Sequence, residues 1–285
     1  GSRGVRNFTD RTLLIAVSRS GETTETILAC QEFLERRLGN LLTLTCVPES
    51  RLAGLGQINL SFPTAMEKSI AQTRAFSTLY LATVFLAGLW SGQSDFLDEL
   101  ERLPEVGRSL LEKIVEVQDL TQSEQAQNEQ AQNEQIVSQL GQDPFYDRFY
   151  FLGSGPRYGL ACELSLKMKE MSLSHSEPFH FLEFRHGPQS MVSQSTLLIG
   201  LLADRSRAQE ERVLAEMEAR GARLLRMAES GVECNFASGI RETARNVLYL
   251  PAGQWLAFNR ALSRGMNPDR PHNLDAVVRL DDYNQ

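Results

Sequence analysis

From Thr12 to Val17 the chain is a near-continuous apolar run, a pattern that predicts a strand buried on both faces in the middle of a parallel sheet. Six polar or small residues, Ser18 to Thr23, follow at once, and Thr24 to Leu38 then places apolar residues at helical spacing. Leu41 to Cys46 and Ile58 to Phe62 repeat the strand pattern, and Thr73 to Gly88 is apolar on most faces, as in a buried or interface helix. Phe96 to Leu140 is mostly polar and amphipathic. Inside it Glu124 to Asn128 recurs as Glu129 to Asn133, a short tandem repeat with almost no apolar face. It reads as a solvated helix or a tolerated insertion rather than a partner-binding helix.

After Pro144 the alternation resumes. Phe149 to Leu152 predicts a strand, Gly153-Ser154-Gly155-Pro156 a loop, and Leu160 to Met171 a helix. Further strands are expected at Thr196 to Leu202, Arg223 to Met227, Val247 to Pro251 and Val277 to Leu280, with helices at Ala208 to Arg220 and Gly253 to Arg264. Strands alternating with helices predict an α/β architecture with parallel sheets. The pattern occurs twice, giving a first domain over 1–140, with 96–140 as its helical, low-complexity linker, and a second over 141–285.

Composition narrows the function classes. A chain of 285 residues suits two domains. The net charge of -7 argues against a nucleic-acid binder, which needs basic surface. The longest apolar stretch, around Leu79 to Trp90, is too short for a bilayer, and the opening residues Gly1 to Gly4 show no secretory signal. Cys30, Cys46, Cys162 and Cys234 are scattered without metal-ligand spacing, so neither a zinc site nor a disulfide framework is expected, and a reducing cytoplasmic setting fits.

The densest chemical signal is Ser18 to Thr26, which sets several hydroxyls and one glycine between a strand and a helix N-terminus. Free backbone N–H groups and the helix dipole favour an anion there. Composition alone allows helix capping equally well. The order Ser18-Arg19-Ser20-Gly21-Glu22-Thr23 resembles the hydroxyl-loop signature of the SIS (sugar isomerase) domain family. A longer match covers Glu163, Lys167, Glu170, His175, Glu177, Glu183 and His186-Gly187-Pro188. These residues resemble the isomerase part of glucosamine-6-phosphate synthase. The softer matches, at Glu67, Ala71 to Phe76 and Gly265 to Pro271, resemble the amino-sugar-phosphate deaminase and isomerase branch.

The resemblance spans about Thr12 to Asp281 and implies two tandem SIS domains, each a five-stranded parallel sheet flanked by helices, with the N-terminal strand of the first absent from this chain. It implies that Ser18, Arg19, Ser20 and Thr23 bind a sugar phosphate. It further implies that Glu170 shuttles a proton beside Lys167, and that His186 opens the sugar ring from the partner subunit of a homodimer. Glu67 and the loop residues Gly153 and Ser154 are weaker substrate-binding candidates. Nothing in the sequence corresponds to the synthase's glutaminase domain. Aligning Pro271 to Val277 with the synthase's reactive tail puts Ala276 where the family has a lysine, and no lysine follows Lys169. The expected function is therefore isomerisation of a hexose 6-phosphate, with or without deamination of glucosamine 6-phosphate, and it implies no metal or redox cofactor. The competing expectation is a sugar-phosphate sensor without chemistry.

Overall fold

The computed structural model describes residues 12–36, 38–116 and 129–275. Its contacts divide the chain into two compact units. Among the described residues the first comprises those up to Thr83 together with 273–275, and the second those between Val84 and His272. The expected boundary near residue 140 is thus not where the contacts divide, because the helices of the expected linker pack within the second unit.

In the first unit β1 (Thr12–Ser18), α1 (Thr24–Glu35), β2 (Gly39–Thr45), α2 (Arg51–Leu55) and β3 (Ile58–Ser61) form a three-stranded parallel sheet, order β1-β2-β3. α3 (Arg74–Trp90) follows. Leu41, Leu42, Thr43, Leu44 and Thr45 of β2 are all buried, so this central strand is covered on both faces. Ala16, Cys30, Leu41 and Leu52 form the core between sheet and helices. β1 departs from expectation. It is an end strand of the described sheet, and Leu13, Ile15 and Val17 on one face are exposed. Among the described residues this sheet has three strands, where the resemblance implied a five-stranded sheet without its N-terminal strand.

The second unit contains α4 (Ser94–Glu116), α5 (Glu129–Gln142), β4 (Arg148–Gly153), α6 (Pro156–Ser172), β5 (His175–Phe179) and α7 (Phe181–Phe184). β6 (Thr196–Leu201), α8 (Arg207–Glu218), β7 (Arg223–Ala228), β8 (Cys234–Asn235), α9 (Glu242–Arg245) and α10 (Tyr249–Ser263) complete it. Its sheet is parallel and five-stranded, order β5-β4-β6-β7-β8. Central β4 and β6 are buried along almost their whole length, and Tyr150, Leu152, Phe181, Phe184 and Leu198 anchor one face of the core. Residues Val247 to Pro251, expected as a strand, instead form a 3-10 turn running into α10, whose neighbouring residues are buried all round. β5 was not expected, since His175 to Phe179 is polar and contains Pro178. That proline is tolerated because β5 is an edge strand with a spare side to face its missing N–H. The first copy of the tandem repeat, Glu124 to Asn128, and the expected strand at Val277 to Leu280 lie outside the described residues.

α6 and α10 approach so closely that a Cβ on Gly253 would sit 2.5 Å from Leu164 Cδ2. Gly253→Ala should therefore overpack the interface and cost about 1–3 kcal/mol. In thermal melts the variant should unfold several degrees early, and Leu164→Val in the same chain should recover part of the loss; an unchanged midpoint would show that the helices can spread without cost.

Candidate active site

In the first unit β1 ends at Ser18, and the chain must turn from the buried strand into α1. Gly21 makes the turn with φ +66°, and a Cβ there would meet Ser50 Oγ at 2.1 Å, so glycine is required on both counts. Ser18 Oγ accepts the Gly21 N–H at 3.1 Å and lies 3.3 Å from Thr23 Oγ1. Ser20 Oγ accepts the Glu22 N–H at 3.2 Å. Thr23 is the N-cap of α1, yet its side chain makes no capping hydrogen bond. Capping therefore does not explain its hydroxyl, which is presented with Ser18 beside the N–H groups of the first turn of α1. Arg19 is buried and donates through Nη1 to the carbonyls of Ser69 (2.9 Å) and Ile70 (3.1 Å).

Ser18, Arg19 and Thr23 line a cavity of about 480 Å³, together with Thr26, Gln72 and Tyr80. Thr26 belongs to the hydroxyl loop and Gln72 to the softer match over Ala71 to Phe76, whereas Tyr80 was not singled out in the sequence and is brought in by α3. Ser20 does not line the cavity; its hydroxyl shapes the turn.

Glu67 has a different place. Its carboxylate accepts from the N–H groups of Thr73 (3.0 Å), Arg74 (3.3 Å) and Ala75 (3.0 Å) and from the Thr73 hydroxyl (2.8 Å). It satisfies the free donors at the start of α3 and complements the positive end of that helix dipole. The cavity wall formed by Phe76 and Tyr80 thus depends on it. Glu67→Ala would leave those donors without their anion and should cost about 1–3 kcal/mol, with Glu67→Gln intermediate. Chemical denaturation of the three proteins measures this; equal midpoints would remove the capping role.

In the second unit Lys167 is buried on α6 between two carboxylates of the same helix face. Its Nζ is 2.5 Å from Glu170 Oε2 and 3.5 Å from Glu163 Oε1. The spacings i,i+3 and i,i+4 place all three side chains on one stripe. A buried ammonium is stable only when paired, and two carboxylates flank it here. The Glu170 side chain is 21% exposed and the Glu163 side chain 9%, so Glu170 is the more accessible acid. Glu163 had been noted only as part of a pattern; its role in holding Lys167 becomes visible with the distance.

Gly153 and Ser154 close the carboxyl end of β4. A Cβ on Gly153 would lie 2.5 Å from the Arg157 carbonyl oxygen, and the Arg157 N–H donates to the Ser154 carbonyl at 3.2 Å, so this is a tight entry into α6. The neighbouring strand ends carry their own anion. Glu242 pairs with buried Arg157 and accepts from the N–H groups of Asp204 (3.0 Å) and Arg205 (3.4 Å). Arg245 is held likewise by Asp204 and by Glu229. His186 stands apart from these groups on an exposed turn after α7, with its N–H on the Glu183 carbonyl at 2.8 Å. The structure thus brings together Ser18 with Thr23, and Lys167 with Glu170. Ala276 lies outside the described residues.

The family model for the SIS domain matches residues 2–88 and 146–254, more than half of the chain. Among curated relatives, the glutamine–fructose-6-phosphate aminotransferases (isomerizing) of Symbiobacterium thermophilum and Chlamydia pneumoniae are 29% and 30% identical over 95% of this chain. The chain spans 44% of the length of each. Among solved structures, glucosamine-6-phosphate deaminase from Thermotoga maritima superposes with a TM-score of 0.77 at 30% identity, covering 97% of this chain and 78% of that one. Tagatose-6-phosphate ketose/aldose isomerase from Escherichia coli superposes at 0.68 with 20% identity, covering 92% and 71%, and shares the fold.

Proposed function

Because the chain belongs to the SIS domain family, we propose that it is a phosphosugar isomerase acting on a hexose 6-phosphate, with glucosamine 6-phosphate, released as fructose 6-phosphate and ammonia, as the preferred substrate. The observation that carries the proposal is Lys167, buried between Glu163 and Glu170, which holds one partly accessible carboxylate beside a fixed ammonium. That arrangement suits a base that takes a proton from C2 of an open-chain sugar and returns it to C1 through an enediolate. With an amino sugar the same transfer gives an imine at C2, whose hydrolysis by one water releases ammonia and leaves the ketose. The name of the Thermotoga maritima relative supports this finer reading.

Phosphate recognition is assigned to the first unit. The Ser18 and Thr23 hydroxyls and the first turn of α1 supply neutral donors to a phosphate, and buried Arg19 lines the same cavity. Ser20 and Gly21 shape this loop and Glu67 fixes α3, so these three are positioning residues. Gly153 and Ser154 are given no phosphate, because the carboxylate of Glu242 already serves the neighbouring backbone donors. His186 is assigned to ring opening in a second copy of the chain, which its exposed turn suits. A homodimer in the cytoplasm is the corresponding setting. No helix among the described residues is long and apolar enough to cross a membrane.

Glucosamine 6-phosphate is the test substrate, with ammonia and fructose 6-phosphate followed together. Both should appear in equal amounts. Glu170→Gln should lower kcat by about 100- to 10,000-fold with the Kd for the substrate nearly unchanged. Ser18→Ala should instead weaken binding about ten-fold, as expected for losing one charge-assisted hydrogen bond. Turnover by Glu170→Gln equal to the parent would overturn the proton-transfer assignment, and unchanged affinity in Ser18→Ala would overturn the phosphate assignment.

A further inference from the structure

A second cavity, of about 510 Å³, opens at the other end of the sheet in the second unit. Arg148 and His175 are the first residues of β4 and β5 and lie side by side in register, followed two residues on by Tyr150 beside Glu177. Side chains alternate along strands and adjacent strands are about 4.8 Å apart, so these four line one face as a compact group. The group sits at the amino ends of the strands, about 16 Å of strand away from the loop at Gly153. Lys169 completes the wall from the last turn of α6. It is one residue from Glu170, hence about 100° round the helix and on a different face.

Ser174 and Ser176 of the lining are hydrogen-bonded to protein groups, whereas its charged groups are unspent. Among the described residues no side-chain hydrogen bond or ion pair engages Arg148, Lys169, His175 or Glu177. Tyr150 is only 5% exposed, its ring packed edge-on to Phe184 and tilted against Phe179, and its hydroxyl has no partner among the described residues. The ring is buried while the hydroxyl keeps an open edge on the cavity, where a ligand hydroxyl can pair with it. Two obligate cations and an imidazole converge on one volume, while a single carboxylate sits one step inward beside the phenol. An anion alone would be repelled by Glu177. A molecule with an anion at one end and hydroxyl donors at the other satisfies every group.

We propose that this cavity is a second binding site, for a small phosphorylated polyol, separate from the proposed catalytic groups. Its phosphate is held by Arg148, Lys169 and an N–H of His175, and its hydroxyls donate to Glu177 and meet the Tyr150 hydroxyl. Arginine supplies the planar, two-pronged contact and lysine the point charge that phosphate recognition commonly combines.

The test uses the whole 285-residue chain carrying Ser18→Ala and Thr23→Ala, so that failure of the loop assignment is read separately. Sorbitol 6-phosphate, which cannot isomerise, and inorganic phosphate are titrated calorimetrically. The parent double variant should still bind one equivalent of sorbitol 6-phosphate. Adding Arg148→Gln and Lys169→Gln should weaken binding about ten-fold or more. Glu177→Gln in the same background should weaken sorbitol 6-phosphate yet tighten inorganic phosphate, since it removes an acceptor for the hydroxyls and a repulsive charge at once. No binding to a protein that melts normally, equal affinity after the Arg148 and Lys169 changes, or a parallel response of both ligands to Glu177→Gln would each overturn the site.

Discussion

An ammonium removed from water has to be matched by nearby negative charge, and the site in the second unit is built around that requirement at Lys167. The side chain leaves the buried side of α6 and finds Glu163 one turn before it and Glu170 one turn after. Neither carboxylate alone would fix its position. Between them it is centred, and its 2.5 Å contact in turn holds Glu170 in place. The close seat of α10 against α6, which allows no side chain at Gly253, keeps this helix rigid enough for the arrangement to matter.

The two parallel sheets spend their strand ends differently, although both present polar turns where strands give way to helices. In the first unit Ser18 and Thr23 leave hydroxyls and helix N–H groups facing a cavity. In the second unit the equivalent ends are neutralised from within by Glu242, Asp204 and Glu229 against Arg157 and Arg245. One fold thus yields an end suited to an external anion and an end that carries its own. Fold alone does not assign function; the distribution of charge at these ends does.

Much of this was readable in the residues. β2, β4 and β6 are apolar runs because central parallel strands are buried on both faces, and each lies where the run predicted. The hydroxyl loop and the Lys167–Glu170 pair were picked out through the family resemblance, since composition alone left helix capping equally open and helical spacing alone suits an ordinary surface pair. Val247 to Pro251 misled for the same physical reason that the strands succeeded. A short apolar run is equally the start of a helix buried all round, and Pro251 falls in the first turn of α10, where a missing N–H costs nothing. β5 was hidden by its polarity as an edge strand, and the capping duty of Glu67 depends on a turn of chain that no local pattern displays.

The central claim is that Glu170 moves a proton between adjacent carbons of a phosphosugar. The most direct measurement follows fructose 6-phosphate with the protein in heavy water by proton NMR. A carboxylate that holds the proton exposes it to exchange, so the account predicts deuterium entering at C1 of the ketose, and that Glu170→Gln abolishes the incorporation. Reversible isomerisation with no deuterium uptake, or uptake that survives the loss of Glu170, would contradict it.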